Sequence, residues 1–88
     1  MKLKCELVIS RIADEIVAVP VGERAKSYHL VLKLNEEGQK IIEFLQKDIS
    51  IEGIISEIKK EYSAKDDQLR EYIVEFVDQL KEYDLIEE

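Results

Sequence analysis

The stretch Tyr28-His-Leu-Val-Leu-Lys-Leu-Asn35 decides how this 88-residue chain is organised. Leucine recurs at every second position, which predicts a β-strand with one apolar face. The side chains expected to face the core are Leu30, Leu32 and Leu34. Those expected on the other face are His29, Val31 and Lys33. Asn35 then predicts a helix start, because its side-chain carbonyl can accept a hydrogen bond from an amide of the first turn.

Composition predicts one small globular domain over residues 1–88. Hydrophobic residues make up 45% of the chain and charged residues 38%, proportions typical of soluble globular proteins. At this length folding hides only about 60% of the surface of the unfolded chain. The core is therefore thin, and no room is left for a separate catalytic domain.

Charge and apolar runs restrict the expected partners and location. A formal net charge of −7 repels phosphate backbones, so nucleic acid is disfavoured as a partner. The longest apolar run, 16–21, is too short to span a membrane, and Glu6 interrupts the basic start before a signal-peptide core develops. A single cysteine, Cys5, suits a reducing compartment. We expect a cytoplasmic protein without a membrane partner.

Two further strands are predicted before the opening stretch. Residues 5–11 alternate, with Cys5, Leu7 and Ile9 on one side, and Cys5 is expected to be a small core residue. Residues 16–21 are apolar on both faces, as in a central strand, and Pro20 should lie near the strand end. Residues 21–27 are predicted to be a loop. Together the three strands predict an antiparallel meander.

Three helices are predicted after the strands. The first runs from the Asn35 cap to about Gln46, with Gly38 allowing a neighbour to approach closely. The second is capped by Ser50 and runs to Tyr62, and a turn over 63–66 leads to the third, capped by Asp66. The apolar stripe expected on the second helix is Ile51, Ile54, Ile55, Ile58 and Tyr62. The stripe expected on the third is Leu69, Ile73, Phe76, Leu80 and Tyr83, widened by Val77. Leu85 and Ile86 could fold back onto the core.

The inventory of chemistry-bearing residues predicts a binding module rather than an enzyme. His29 is the only histidine, and with Cys5 it gives too few ligands for a zinc site. The acidic pairs at helix starts are explained by the helix dipole, and no phosphate-binding or nucleophile motif occurs. We expect no catalytic residue, no metal and no cofactor. The third predicted strand, if it is outermost, offers an edge that a partner could pair with.

Several motifs, in order, resemble the PqqD-like family, the small domains also called RiPP recognition elements. The motifs are Leu34-Asn35-Glu36-Glu37-Gly38, Ile41-Ile-Glu-Phe-Leu45, Ser50-Ile-Glu-Gly-Ile-Ile55, Val77-Asp-Gln-Leu80 and Asp84-Leu-Ile86. The sequence departs from the family at Glu37, Phe44 and Asp84, where the family favours Ser or Thr, a Trp region and Gly. The resemblance implies an α+β, winged-helix-like fold, with a three-stranded antiparallel sheet followed by three helices.

The resemblance also implies a function. Family members bind the leader segment of a ribosomally made precursor peptide, as a strand added to the third strand in a cleft against the third helix. They present it to a modifying enzyme, often a radical SAM maturase, and catalyse nothing themselves. The residues expected to contact the peptide are His29, Val31 and Lys33 from the strand, and Arg70, Ile73, Val74 and Val77 from the helix. Lys33 and Arg70 would suit an acidic leader.

Two other functions remain open at this stage. Three strands and three helices can also build a winged-helix nucleic-acid binder. Against it, Lys59 and Lys60 on the second helix are outnumbered by Glu52, Glu57 and Glu61. The other alternative is an adaptor that dimerises through its exposed edge, so that the protein would be either a monomer or an edge-paired dimer.

Overall fold

An antiparallel meander followed by three helices forms most of the computed structural model, which describes residues 1–63 and 65–88, with the backbone alone at residue 24. The strands are β1 (Lys2–Leu3), β2 (Glu6–Ile12), β3 (Glu15–Val21), β4 (Leu32–Leu34) and β5 (Ile86–Glu87). The helices are α1 (Glu36–Phe44), α2 (Ile51–Lys59) and α3 (Asp66–Glu82). A 3-10 helix, Glu23–Ser27, occupies the predicted loop. The α+β fold and the sheet order β2-β3-β4 are confirmed.

The two long strands form the antiparallel pair that the alternation in 5–11 and the apolar run in 16–21 predicted. β2 and β3 are antiparallel from Glu6↔Val21 to Ile12↔Glu15. Between them Ala13 has φ 57°, in the left-handed region that a tight reversal needs. Cys5 and Leu7 are buried on the core side, whereas Val8 is exposed on the other face. Pro20, next to the end of β3, pairs with Leu7 of β2 but lies beyond the last residue that pairs with β4, so its missing amide hydrogen breaks no bond of the β3–β4 ladder.

β4 is shorter than the predicted strand over 28–34. It pairs with β3 only from Ile16↔Leu34 to Ala18↔Leu32. Continuing this register would set Leu30 opposite Pro20, which has no amide hydrogen to donate, and this accounts for a ladder that ends at Leu32. The predicted facing is nevertheless confirmed. The half-buried side chains packed on the core are Leu30, Leu32 and Leu34, and the exposed ones are His29, Val31 and Lys33.

The predicted caps hold for two of the three helices. Asn35 accepts from the Gly38 amide at 2.8 Å, and Ser50 accepts from the Gly53 amide at 3.0 Å. The Asp66 cap is wrong, because Asp66 is the first helical residue and its carboxylate pairs with Lys59 of α2. α1 and α2 end two and three residues earlier than predicted. The turn predicted over 63–66 includes residue 64, which lies outside the described residues.

The core lies between the sheet and the helices. Its buried side chains include Leu7, Ala18, Ile41, Ile42, Leu45, Ile54, Ile58, Ile73, Val77, Leu80 and Leu85. Tyr62 and Tyr83 were predicted in the helical stripes but are 40% and 49% exposed, because Tyr62 follows the end of α2 and Tyr83 is the C-cap of α3.

The chain termini add a sheet that was not predicted. β1 pairs antiparallel with β5 through Lys2↔Glu87 and Leu3↔Ile86. The fold-back of Leu85 and Ile86 onto the core is confirmed, since they are 0% and 6% exposed. The two-stranded sheet therefore joins the two ends of the chain, with β5 next to α3.

Candidate functional site

A cleft of about 220 Å³ opens between β4 and α3. The residues that line it are Lys33, Leu34, Asn35, Tyr72, Glu75, Phe76 and Gln79. Leu34 and the two aromatic rings supply the apolar part of this lining, and the other residues are polar or charged. This mixture suits a ligand with apolar and polar groups, such as a peptide.

Asn35 organises one end of the cleft. Its Oδ1 accepts from the Gly38 amide and also from the Tyr72 hydroxyl, at 2.9 Å. The Tyr72 and Phe76 rings are stacked, with centroids 6.4 Å apart and planes 25° from parallel. Gly38 permits this packing, because a Cβ there would lie 2.9 Å from Phe76 Cε2. The end of β4, the start of α1 and the middle of α3 are thereby held together.

A second set of contacts ties the other end of the same segment. The Tyr28 hydroxyl donates to the Asp84 carbonyl at 2.7 Å. Asp84 follows α3 in the left-handed region, at φ 60°, and pairs with Lys4, whose pKa is raised by that hydrogen bond. Seven extended residue steps, from Tyr28 to Asn35, span about 23 Å. The stretch from Tyr72 of α3 to Asp84, just after the helix, spans about 18 Å. Because hydrogen bonds join the two segments at both ends, the segments lie side by side.

The outer edge of β4 carries no neighbouring strand within the described residues. Just before it, residues 29–31 lie outside the β3–β4 ladder and make no backbone–backbone hydrogen bond to another described residue. Val31 is 60% exposed, and His29, two residues before it on the same face, is exposed too. Backbone donors and acceptors are thus available along this segment, beside the cleft.

The structure places the two predicted cations in ion pairs. Lys33 lines the cleft, and its Nζ lies 3.6 Å from a carboxylate oxygen of Glu15. Arg70 lies on the α2 side of α3, where its two terminal nitrogens donate to the Glu52 carboxylate. Nη1 donates to Oε1, and Nη2 donates to Oε2 at 2.9 Å. This hydrogen bond lowers the pKa of Glu52 and raises that of Arg70. Arg70 is therefore not a wall of the cleft.

The remaining predicted helix residues lie in or near the core. Ile73 and Val77 are 0% exposed, and Val74 is half-buried. Their contact with a ligand stays a prediction, and the first two offer no free side-chain surface for it. The α3 residues that do line the cleft are Tyr72, Glu75, Phe76 and Gln79. For the two aromatic residues, Tyr72 and Phe76, the sequence signal was their spacing of four positions at the margin of the apolar stripe.

Among the described residues, no three histidine, cysteine, aspartate or glutamate side chains are grouped so that they could hold a metal ion. Cys5 is buried as predicted, and its thiol lies 3.4 Å from the Glu6 and Val21 carbonyls. Among the helices that the structure describes, none has the length and apolarity needed to cross a membrane.

Comparison with known proteins places the chain in a family. No curated protein sequence matches it. A solved structure described as TbiB1 in complex with the TbiA(beta) leader peptide shares the fold, with a TM-score of 0.72 and 24% identity over 99% of this chain and 95% of that one. The model of the family described as coenzyme PQQ synthesis protein D (PqqD) matches residues 15–86. Because that match spans most of the sequence, the chain belongs to the PqqD family, as its motifs predicted.

Proposed function

We propose that residues 1–88 form one domain that binds the leader segment of a ribosomally made precursor peptide and presents it to a modifying enzyme. The leader adds as a strand to the outer edge of β4 and lies in the cleft against α3. The observation that carries this proposal is the unpaired edge of β4 beside an open, partly apolar cleft. Family membership supports it, as does the shared fold with TbiB1, whose structure contains a leader peptide.

Strand addition explains how a small domain can bind a peptide firmly. Hydrogen bonds to the backbone of the β4 edge supply affinity that does not depend on side chains. Alternate peptide residues then point into the cleft, toward Leu34, Tyr72 and Phe76, and these positions select the sequence. His29, Val31 and Lys33 flank the added strand on its exposed face. Ile73 and Val77 act by setting the position of α3 rather than by touching the peptide.

The domain supplies binding and leaves the chemistry to a partner. A modifying enzyme, such as a radical SAM maturase, would act on the precursor while the leader stays in the cleft. Binding lowers the entropic cost of bringing enzyme and precursor together, because it raises the effective concentration of one near the other. Adding excess free leader to a reaction of enzyme, domain and precursor should therefore slow the modification.

Alternate N-methylation of the peptide tests strand addition without altering the protein. The probe is a synthetic leader from a short reading frame next to the gene, in two versions methylated at odd or even backbone nitrogens. In an antiparallel or parallel ladder the amides on one edge belong to alternate residues. One version should lose binding in fluorescence anisotropy and the other should keep it. Equal binding by both versions would contradict strand addition.

The oligomeric state distinguishes peptide binding from edge-paired dimerisation. We propose a monomer whose free β4 edge awaits the leader. Sedimentation equilibrium without peptide should give the mass of one 10.3 kDa chain. A dimer that dissociates when leader is added would mean that a second copy occupies the same edge.

A further inference from the structure

We propose that the peptide segment facing α3 is basic, with lysine or arginine at alternate positions. This inference rests on the proposed peptide-binding function and names the chemistry of its ligand. It reverses the expectation from sequence, in which Lys33 and Arg70 suited an acidic leader.

A row of exposed carboxylates runs along α3 and reaches the cleft at Glu75. Its members, called here the acidic stripe, are Glu71, Glu75, Asp78 and Glu82. Their spacing of three and four residues places them on one face of α3. Glu75 itself lines the cleft, next to Tyr72, Phe76 and Gln79. All four are exposed, and none forms an ion pair within the described residues.

The three cations within β4 and α3 already have carboxylate partners. Lys33 pairs with Glu15 at 3.6 Å, and Lys81 pairs with Glu88 at 3.1 Å. Arg70 is held by Glu52 on the far side of α3. The acidic stripe therefore has no cation partner among the described residues, and Glu75 brings its negative charge to the wall of the cleft, well inside the Debye length of a bound peptide.

The spacing of the acidic stripe matches that of an added strand. From Glu71 to Glu82 the helix rises about 16 Å, so its carboxylates are about 5 Å apart on average. Side chains on one face of a strand recur every 6.8 Å or so, so about three of them lie along the stripe. Long, flexible lysine or arginine side chains absorb the small mismatch. We therefore expect lysine or arginine at cleft-facing positions beside Glu75, with the axial spacing of the stripe favouring more than one such position.

A random peptide library tests this charge preference directly. Phage-displayed peptides of 12 residues are selected on the intact protein, and binders are mapped by amide chemical shifts. Peptides that shift residues 31–34 and 72–79 should be enriched in lysine or arginine at positions of equal parity. Their affinity should fall as salt is raised from 50 to 300 mM, since exposed ion pairs are screened.

Matched charge reversals separate the acidic stripe from net charge. The variant Glu75→Lys with Glu82→Lys should bind the selected peptides about tenfold more weakly. The control, Glu6→Lys with Glu43→Lys, changes net charge equally at exposed positions that do not line the cleft, and should stay within about twofold of the native affinity. Cleft-binding peptides that are neutral or acidic, or equal affinities for the two variants, would overturn this inference and leave the proposed function intact. Finding no peptide that maps to the cleft would count against both.

Discussion

Replacing Asn35 with alanine should destabilise the junction of β4, α1 and α3. The substitution removes the N-cap of α1, which costs about 1 kcal/mol. It also removes the acceptor of the exposed Tyr72 hydroxyl, which adds about 0.5–1 kcal/mol. The expected loss of about 1.5–2 kcal/mol is a substantial part of the roughly 4–13 kcal/mol expected for a chain of this length.

Urea unfolding followed by far-UV circular dichroism measures this loss, provided that the slope m is unchanged. In a thermal scan the midpoint should fall by about 6–16 °C. Two control variants separate the contribution of the helix cap from that of the Tyr72 hydrogen bond. Asn35→Ser retains a capping oxygen but is too short to reach Tyr72, so it should lose only about 0.5–1 kcal/mol. Tyr72→Phe should lose the same amount, and combining these two should cost no more than either alone.

Two results would refute the reasoning. If Asn35→Ala unfolds within about 0.3 kcal/mol of the native protein, Asn35 is not the link between α1 and α3. If Asn35→Ser is as unstable as Asn35→Ala, the Tyr72 contact rather than the cap carries the whole effect.

Three further substitutions probe the surroundings of the cleft. Gly38→Ala should destabilise by about 1 kcal/mol despite the better helix propensity of alanine, because the new Cβ meets Phe76, and Phe76→Leu should restore part of the loss in urea unfolding. Asp84→Gly should raise the thermal midpoint by a few degrees, since glycine adopts the left-handed conformation without cost and the ion pair lost with Lys4 is exposed; a lower midpoint would contradict this. Arg70 lowers the pKa of Glu52 from its ordinary value of 4.5, so this pair stabilises the fold above pH 4.5 and loses its effect as the pH falls through the lowered pKa. The midpoint difference between native protein and Glu52→Gln should therefore shrink from pH 7 to pH 3, and a constant difference would contradict the assignment.

Local patterns predicted most of the fold. The alternation in β2, the apolar run of β3, and the caps Asn35 and Ser50 depend on residues close together in the chain, so the sequence contains the information they need. The β1–β5 pairing was missed because each strand has only two residues, and they meet across the length of the chain. β4 was predicted too long because its limit depends on Pro20, in a different strand.

The candidate site was predicted less completely, because the rotation of α3 about its own axis was not predicted to within one residue. An apolar stripe locates the buried face of α3 but not its centre to within one residue. The centre lies on Ile73 and Val77, which moves Phe76 toward the cleft and turns Arg70 toward α2. Ion pairs between elements, such as Arg70 with Glu52, decide which charges are available to a ligand. Such pairs leave no periodic signal in the sequence.

Amide mapping of the leader complex tests the central claim most directly. With ¹⁵N-labelled protein and the synthetic leader, amides of residues 29–34 and 72–79 should shift on titration. Alternate amides within 29–34 should also exchange more slowly with solvent, because only those on the outer edge gain a strand partner. Shifts confined to α2, or unchanged exchange throughout 29–34 at saturating leader, would contradict the account.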